Sequence, residues 1–322
     1  MSRKNIYIIL IIIGILTIGY IEIFSHTFEQ KDFSLDNSKL ENIFSPPYSY
    51  DALTVSFILF YLFLFLSGII NIVILIFKKL NKSSDYSVEY STFLSLNDEN
   101  VAKIFFIVVY FNLFVYLLSL FFFNAISYNR TYVIRQIVLA NLIIHLGIIF
   151  IMVHAIPLKD ISIKPRLKHF IFVLKIYSML LPLLYLVVTI LGFISKKFNF
   201  YLPPQPVVYL LFTIDEKWLM YFLIFEGFLI APLSEEFLFR GFIYKFMRKK
   251  YNWLISSVFN SLLFAFLHKS ISGFFIIFLI SMTLCYVYEK TQNIWASVSI
   301  HSLHNFLGIW GIFVFKRLLN LN

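Results

Sequence analysis

Apolar runs long enough to cross a membrane recur along the whole of this chain, and few folds can accommodate that. They cover residues 5–24, 52–77, 101–125, 132–155 and 169–193, then 217–247, 253–268, 271–288 and 294–315. A helix rises about 1.5 Å per residue and bilayer hydrocarbon is about 30 Å thick, so roughly 20 residues span it. With 60% hydrophobic and 14% charged residues and a mean hydropathy of +0.84, no soluble domain could bury the apolar surface. The pattern predicts an all-α fold, a polytopic membrane helix bundle of about eight or nine transmembrane helices.

Charge in the connections gives an orientation. Lys78, Lys79 and Lys82, then Lys159, Lys164, Arg166 and Lys168, then the basic residues between Lys245 and Lys250 fall in alternate connections. Cationic loops stay on the cytoplasmic side, which places the amino terminus inside, in a cell membrane. Lys196, Lys197, Lys316 and Arg317 fall on the other side of this scheme. Ser2-Arg3-Lys4 imitates the start of a signal peptide. The apolar stretch behind it is long and ends in Ile21-Glu22-Ile23-Phe24 without small residues, as expected of an uncleaved anchor. The acidic segment 25–51 reads as an external loop and 80–100 as an internal one.

The net charge of +10 is explained by those loops and helix ends, so no nucleic acid partner is expected. A single cysteine, Cys285, excludes an internal disulfide and a cysteine-based zinc cluster. The expected partners are membrane lipid and a peptide or protein substrate at the membrane.

Against this background, polar clusters inside apolar stretches carry the chemistry: Glu235-Glu236-x-x-x-Arg240, Phe264-x-x-x-His268 and His301-x-x-His304-Asn305. An ionisable group deep in a bilayer is costly and marks function by default. Residues four apart stack on one helix face, so Glu236 pairs with Arg240 and offsets the cost of burying both. Glu235 points away from that pair and is the candidate general base for activating water. Phe264 lies beside His268 and limits its rotamers. His301 and Asn305 share a face, with the Asn amide able to donate to a developing oxyanion, and His304 lies on a neighbouring face. By helical rise, Glu235 sits about 20 Å from the basic end near Arg248, and His268 about 22 Å from Trp253. Asn305 and His301 fall about 17 and 10 Å from Ile294, which permits one intramembrane site. The basic end of the Glu235 helix is the expected side of access. Glu226, Lys175, His145, Asn141 and Arg135 are isolated in the sequence and read as structural.

The run Ala231-Pro232-Leu233-Ser234-Glu235-Glu236-Phe237-Leu238-Phe239-Arg240-Gly241, with Leu262-Leu263-Phe264-Ala265-Phe266-Leu267-His268 and Trp295-Ala296-Ser297 before His301 and Asn305, resembles the CAAX protease and bacteriocin-processing family, also called Abi. Its motifs EExxxR, FxxxH and HxxxN all match, over about 215–315. The resemblance divides the chain into 1–200, transmembrane helices of unassigned role, and 201–322, the protease-like core. It implies an intramembrane endopeptidase in which Glu235 and His268 activate water, while His301 and Asn305 stabilise the tetrahedral oxyanion. The sites expected on this basis are Glu235, Glu236, His268, His301 and Asn305, supported by Arg240 and Phe264.

The family has been described both as glutamate-dependent and as metal-dependent. No cofactor or a divalent metal are both open, with Glu235, His268 and His301 as the conditional ligands and the metal-free form preferred. The chain has no His-Glu-x-x-His, Gly-x-Ser-Gly or Gly-x-Gly-Asp, the signatures of other intramembrane proteases. The alternative is a non-catalytic membrane protein of the same fold, acting in bacteriocin immunity or as a partner-binding scaffold. The Ile, Phe, Asn and Lys bias points to an AT-rich bacterial genome, where prenylated substrates are not expected.

Overall fold

The computed structural model describes residues 5–8, 10–15, 52–80, 94–126, 130–157, 167–199, 205–214 and 216–318. These form helices α1 (Asn5–Ile15), α2 (Ala52–Leu80), α3 (Asp98–Ile126), α4 (Arg130–Ala155), α5 (Leu167–Phe198), α6 (Pro206–Thr213), a composite α7 (217–248), α8 (Trp253–Leu267), α9 (Phe274–Thr291) and α10 (Ile294–Leu318). No strand occurs among the described residues. The acidic segment 25–51 and the basic residues Lys82, Lys159, Lys164 and Arg166 lie outside them.

Six helices, α2 to α5 with α9 and α10, are long and apolar enough to cross a membrane. The chain is a multi-pass membrane protein. The remaining apolar runs meet the same need differently. The helix α8 has only 15 residues, and α7 is interrupted by π-helical stretches at Glu226–Ile230 and Phe237–Tyr244. The short α6, with a proline in its first turn, was not visible in the hydropathy pattern. Large apolar side chains face outward along the bundle, among them Phe63, Phe121, Phe150 and Phe193. In water such a surface would aggregate, and in lipid it is the solvent-facing side.

Polar atoms fix the packing where helices come closest. Gly68 of α2 lies against α5 so tightly that a Cβ there would sit 1.9 Å from the Ser178 carbonyl oxygen. Asn71 beside it donates to Ser178 Oγ at 3.4 Å. The helix α7 runs alongside α4 in the same direction. Arg135 pairs with Glu216 near their starts and His145 meets Ser234 midway. Ile148, Met152 and Ile156 share a core with Phe237 to Tyr244 further along. At the far end of α7, Lys250 pairs with Asp98 of α3 at 2.8 Å.

Candidate active site

Pro232 shapes α7 just before the acidic motif. A proline has no N–H to give, so the helix cannot keep its ordinary register through this turn. It widens instead. The Ala231 N–H reaches back to the Glu226 carbonyl, which leaves the Gly227 carbonyl without a donor from either Ala231 or Pro232. Asn305 of α10 fills the gap, its Nδ2 donating to Gly227 O at 2.8 Å. A π-helical turn of this kind often marks a functional position. Here it ties the third motif to the helix of the first.

Glu236 is fully buried, and its Oε1 accepts from Arg240 at 2.9 Å and from His301 Nδ1 at 2.9 Å. Arg240, also fully buried, donates further to the carbonyl and the hydroxyl of Ser281 on α9 at 3.1 and 2.8 Å. The expected Glu236–Arg240 pair is present. Its link to His301 and its anchor at Ser281 are additional, and no same-helix spacing could have pointed to them.

Phe264 joins these groups. It is buried, lies 4.8 Å beneath the Arg240 guanidinium, 4.5 Å from the His268 ring and 5.8 Å from the His301 ring. The aromatic position of the second motif therefore packs against a charge from the first motif and a histidine from the third.

His268 caps the end of α8, and its Nδ1 lies 2.7 Å from the Phe264 carbonyl. A carbonyl only accepts, so the proton is on Nδ1, which in a neutral ring leaves the Nε2 lone pair free. The same logic holds for His301, whose Nδ1 lies on a Glu236 oxygen that also accepts from Arg240. Both Nε2 atoms approach Glu235 Oε2, at 3.9 Å from His268 and 3.7 Å from His301. That oxygen has no hydrogen-bond partner among the described residues. With both rings neutral, three acceptor atoms converge, in a place where Glu235 keeps 20% and His268 31% of side-chain exposure.

Such a cluster can hold a water molecule, which donates to two acceptors at once, or a cation. As ligands for a divalent ion the three groups are of the right kind. The two Glu235–His separations, 3.9 and 3.7 Å, exceed by about 0.3–0.6 Å the ligand-to-ligand edge of a tetrahedral zinc site with bonds of about 2.0–2.1 Å. No group of His, Cys, Asp or Glu among the described residues has metal-binding geometry as it stands. A modest closure of the side chains would be needed.

His145, isolated in the sequence, belongs to this neighbourhood. Its Nδ1 lies 2.6 Å from Ser234 Oγ, whose own proton goes to the Ala231 carbonyl. Its place midway along α4, at the level of the acidic motif, was the available signal. Arg135 is likewise paired, with Glu216, under the Trp218 ring. Glu226 is buried, with neither oxygen hydrogen-bonded among the described residues. Lys175 and Asn141 are exposed. His304 faces away towards α5, its Nδ1 3.2 Å from Tyr177 Oη. Cys285 is buried against Asn260 and Ser261.

Comparison with known proteins agrees with this geometry in extent. Residues 216–307 match the family model "Type II CAAX prenyl endopeptidase Rce1-like". The "UPF0177 protein YxdF" of Lactococcus lactis subsp. lactis (strain IL1403) is 42% identical over 82 residues, 25% of this chain and 44% of that protein. The "Putative membrane peptidase YdiL" of Bacillus subtilis (strain 168) is 23% identical over 77 residues, 24% of this chain and 32% of that protein. The chain spans less than half the length of these relatives. No solved structure matches.

Proposed function

We propose that this chain, which carries an Rce1-like domain at residues 216–307, is an intramembrane endopeptidase that hydrolyses a peptide bond of a membrane-associated substrate. The convergence of Glu235 Oε2 with the Nε2 atoms of His268 and His301 supports this reading most directly. Water held there by Glu235 and His268 gives a proton to Glu235 as its oxygen bonds to the scissile carbonyl carbon. The charge formed on the carbonyl oxygen needs donors. His301 gives one only in the form that carries a proton on Nε2 as well as on Nδ1. Asn305 has a second amide N–H beyond the one given to Gly227. Collapse breaks the C–N bond, and the proton on Glu235 passes to the leaving amine.

A divalent ion recruited to the cluster would be held by Glu235, His268 and His301, and would supply a bound water of lowered pKa. The water reading expects activity within about twofold of the starting rate after chelation. A loss restored by added zinc would favour the ion. The basic connections favour a cell membrane with the amino terminus in the cytoplasm.

The deciding experiment uses purified protein in detergent with a fluorogenic peptide library. Cleavage abolished by Glu235→Ala is the expected result. Cleavage that persists in that variant, or no cleavage by the folded wild type, would leave the binding or immunity role.

A further inference from the structure

The two sides of the cluster differ in a way that says how a substrate reaches it. Towards the basic end of α7, Glu236 to Lys245 are buried without a break. Phe239, Phe242 and Tyr244 fill that side together with Phe264 of α8 and Tyr288 of α9. Below them, Tyr244 Oη donates to Glu289 at 2.6 Å and Arg248 pairs with the same carboxylate at 2.9 Å. A polypeptide cannot pass through such a plug without unpacking it.

On the other side α8, among the described residues, gives less cover because it is short. Its 15 residues reach about 22 Å from Trp253, against about 30 Å of hydrocarbon, so the chain turns back beside His268 and returns as α9. The turn has Lys269 in the left-handed conformation, φ 51°, and carries Ser270, Ser272 and Gly273. The packing of α8 on α7 is concentrated at Phe237–Tyr244 and the following turn. Above that level α7 packs on α10 instead, with Phe228 and Phe306 in edge contact at 5.8 Å. Among the described residues the end of α8 and the α7–α10 pair therefore diverge at the level of Glu235. The side chains bordering this region are apolar and exposed: Leu267 and Ile271 on one side, Phe228 and Phe306 on the other.

Resting on the protease reading, we infer that a gap runs from Glu235 outward between the end of α8 and the α7–α10 pair, and that the cluster is entered through it, from the end of the molecule that carries the α8–α9 turn and not from the end that carries Lys245 to Lys250. The occupant is an extended segment of a membrane-anchored polypeptide, because the gap leads to Glu235 between apolar rims and is next to lipid. With the basic end in the cytoplasm, the bond that is cut lies in the outer half of the membrane. This reverses the side of access expected from the charge of the α7 end alone.

The test reads access without requiring catalysis. In a Cys285→Ser background, Glu235→Cys is reconstituted in vesicles, and a small membrane-impermeant thiol reagent is added to one side at a time. Ile271→Cys and Asn252→Cys report which side is which. The expected result is modification of Glu235→Cys from the Ile271 side at least about tenfold faster than from the Asn252 side. Faster modification from the Asn252 side, equal rates, or no reaction from either side would overturn the inference. If Glu235→Cys does not fold, Ala231→Cys, one turn closer to the gap, replaces it with the same expectation. A wild-type protein that cleaves nothing, beside a Glu235→Cys modified from the Ile271 side, would sink the protease reading and leave the access route standing.

Discussion

Glu236 divides one oxygen between Arg240 and His301 in a fully buried setting, whereas Glu235, its neighbour in sequence, keeps an unbonded oxygen between two imidazoles. Glu235→Gln retains volume and removes the proton acceptor, so cleavage should vanish while thermal stability stays close to wild type. Glu236→Gln weakens both the guanidinium pairing and the hold on His301, and breaking such a buried pair costs about 3–5 kcal/mol. Activity and melting temperature should fall together. Equal behaviour of the two variants in both assays would refute the division of roles. Asn305→Ala should also lose on both counts. It strands the Gly227 carbonyl, at about 1–3 kcal/mol, and withdraws a donor from the oxyanion, with turnover down by roughly 100-fold. Turnover and apparent affinity on one reporter peptide, read beside a melting curve, separate these effects. At this scale the sequence disclosed what same-helix spacing controls, the Glu236–Arg240 pair and the Phe264–His268 contact. His145 and Ser281, with the Gly227 carbonyl, stayed hidden because they depend on which helices meet, and that register leaves no periodic trace in one sequence.

The helix α7 is the element on which these contacts depend. Its apolar run was legible, and so was Pro232 within it, yet the widened turns could not be placed before it was known where the displaced carbonyl finds a donor. Its lower half is fixed to α9 by Glu289, which accepts from Tyr244 and Arg248 while Gln292 donates to its carbonyl. Glu289→Gln should lower stability by about 1–3 kcal/mol and reduce turnover only modestly, since Glu289 lies on the plugged side away from the cluster. A thermal melt beside a peptide assay checks this. A variant with unchanged melting and no activity would show that Glu289 takes part in the chemistry.

Across the whole molecule, the order of the long apolar helices was legible from hydropathy, because lipid imposes length and composition on each crossing. The neighbours of each helix were not, since outward-facing Phe and Leu read the same on every helix. The consequence concerns the first 200 residues, to which no motif gave a role. They supply Leu94 ahead of α3, Val101, Ile104 and Val108 of α3, Ile148 and Met152 of α4 and Ile156 just after it to the core that buries Phe237 to Tyr244. They also supply His145 against Ser234 and Tyr177 against His304. Residues 201–322 expressed alone would expose that face of α7 to lipid, with Glu236 and Arg240 behind it. The fragment should be poorly folded and should cleave at under about a tenth of the full-chain rate, because removing packed neighbours from several core residues costs about 2–5 kcal/mol at each. Co-expression of 1–200 as a separate chain should restore monodisperse protein and activity. A fragment 201–322 that is monodisperse and fully active alone would mean that α3, α4 and α5 only surround the site and do not hold it in shape.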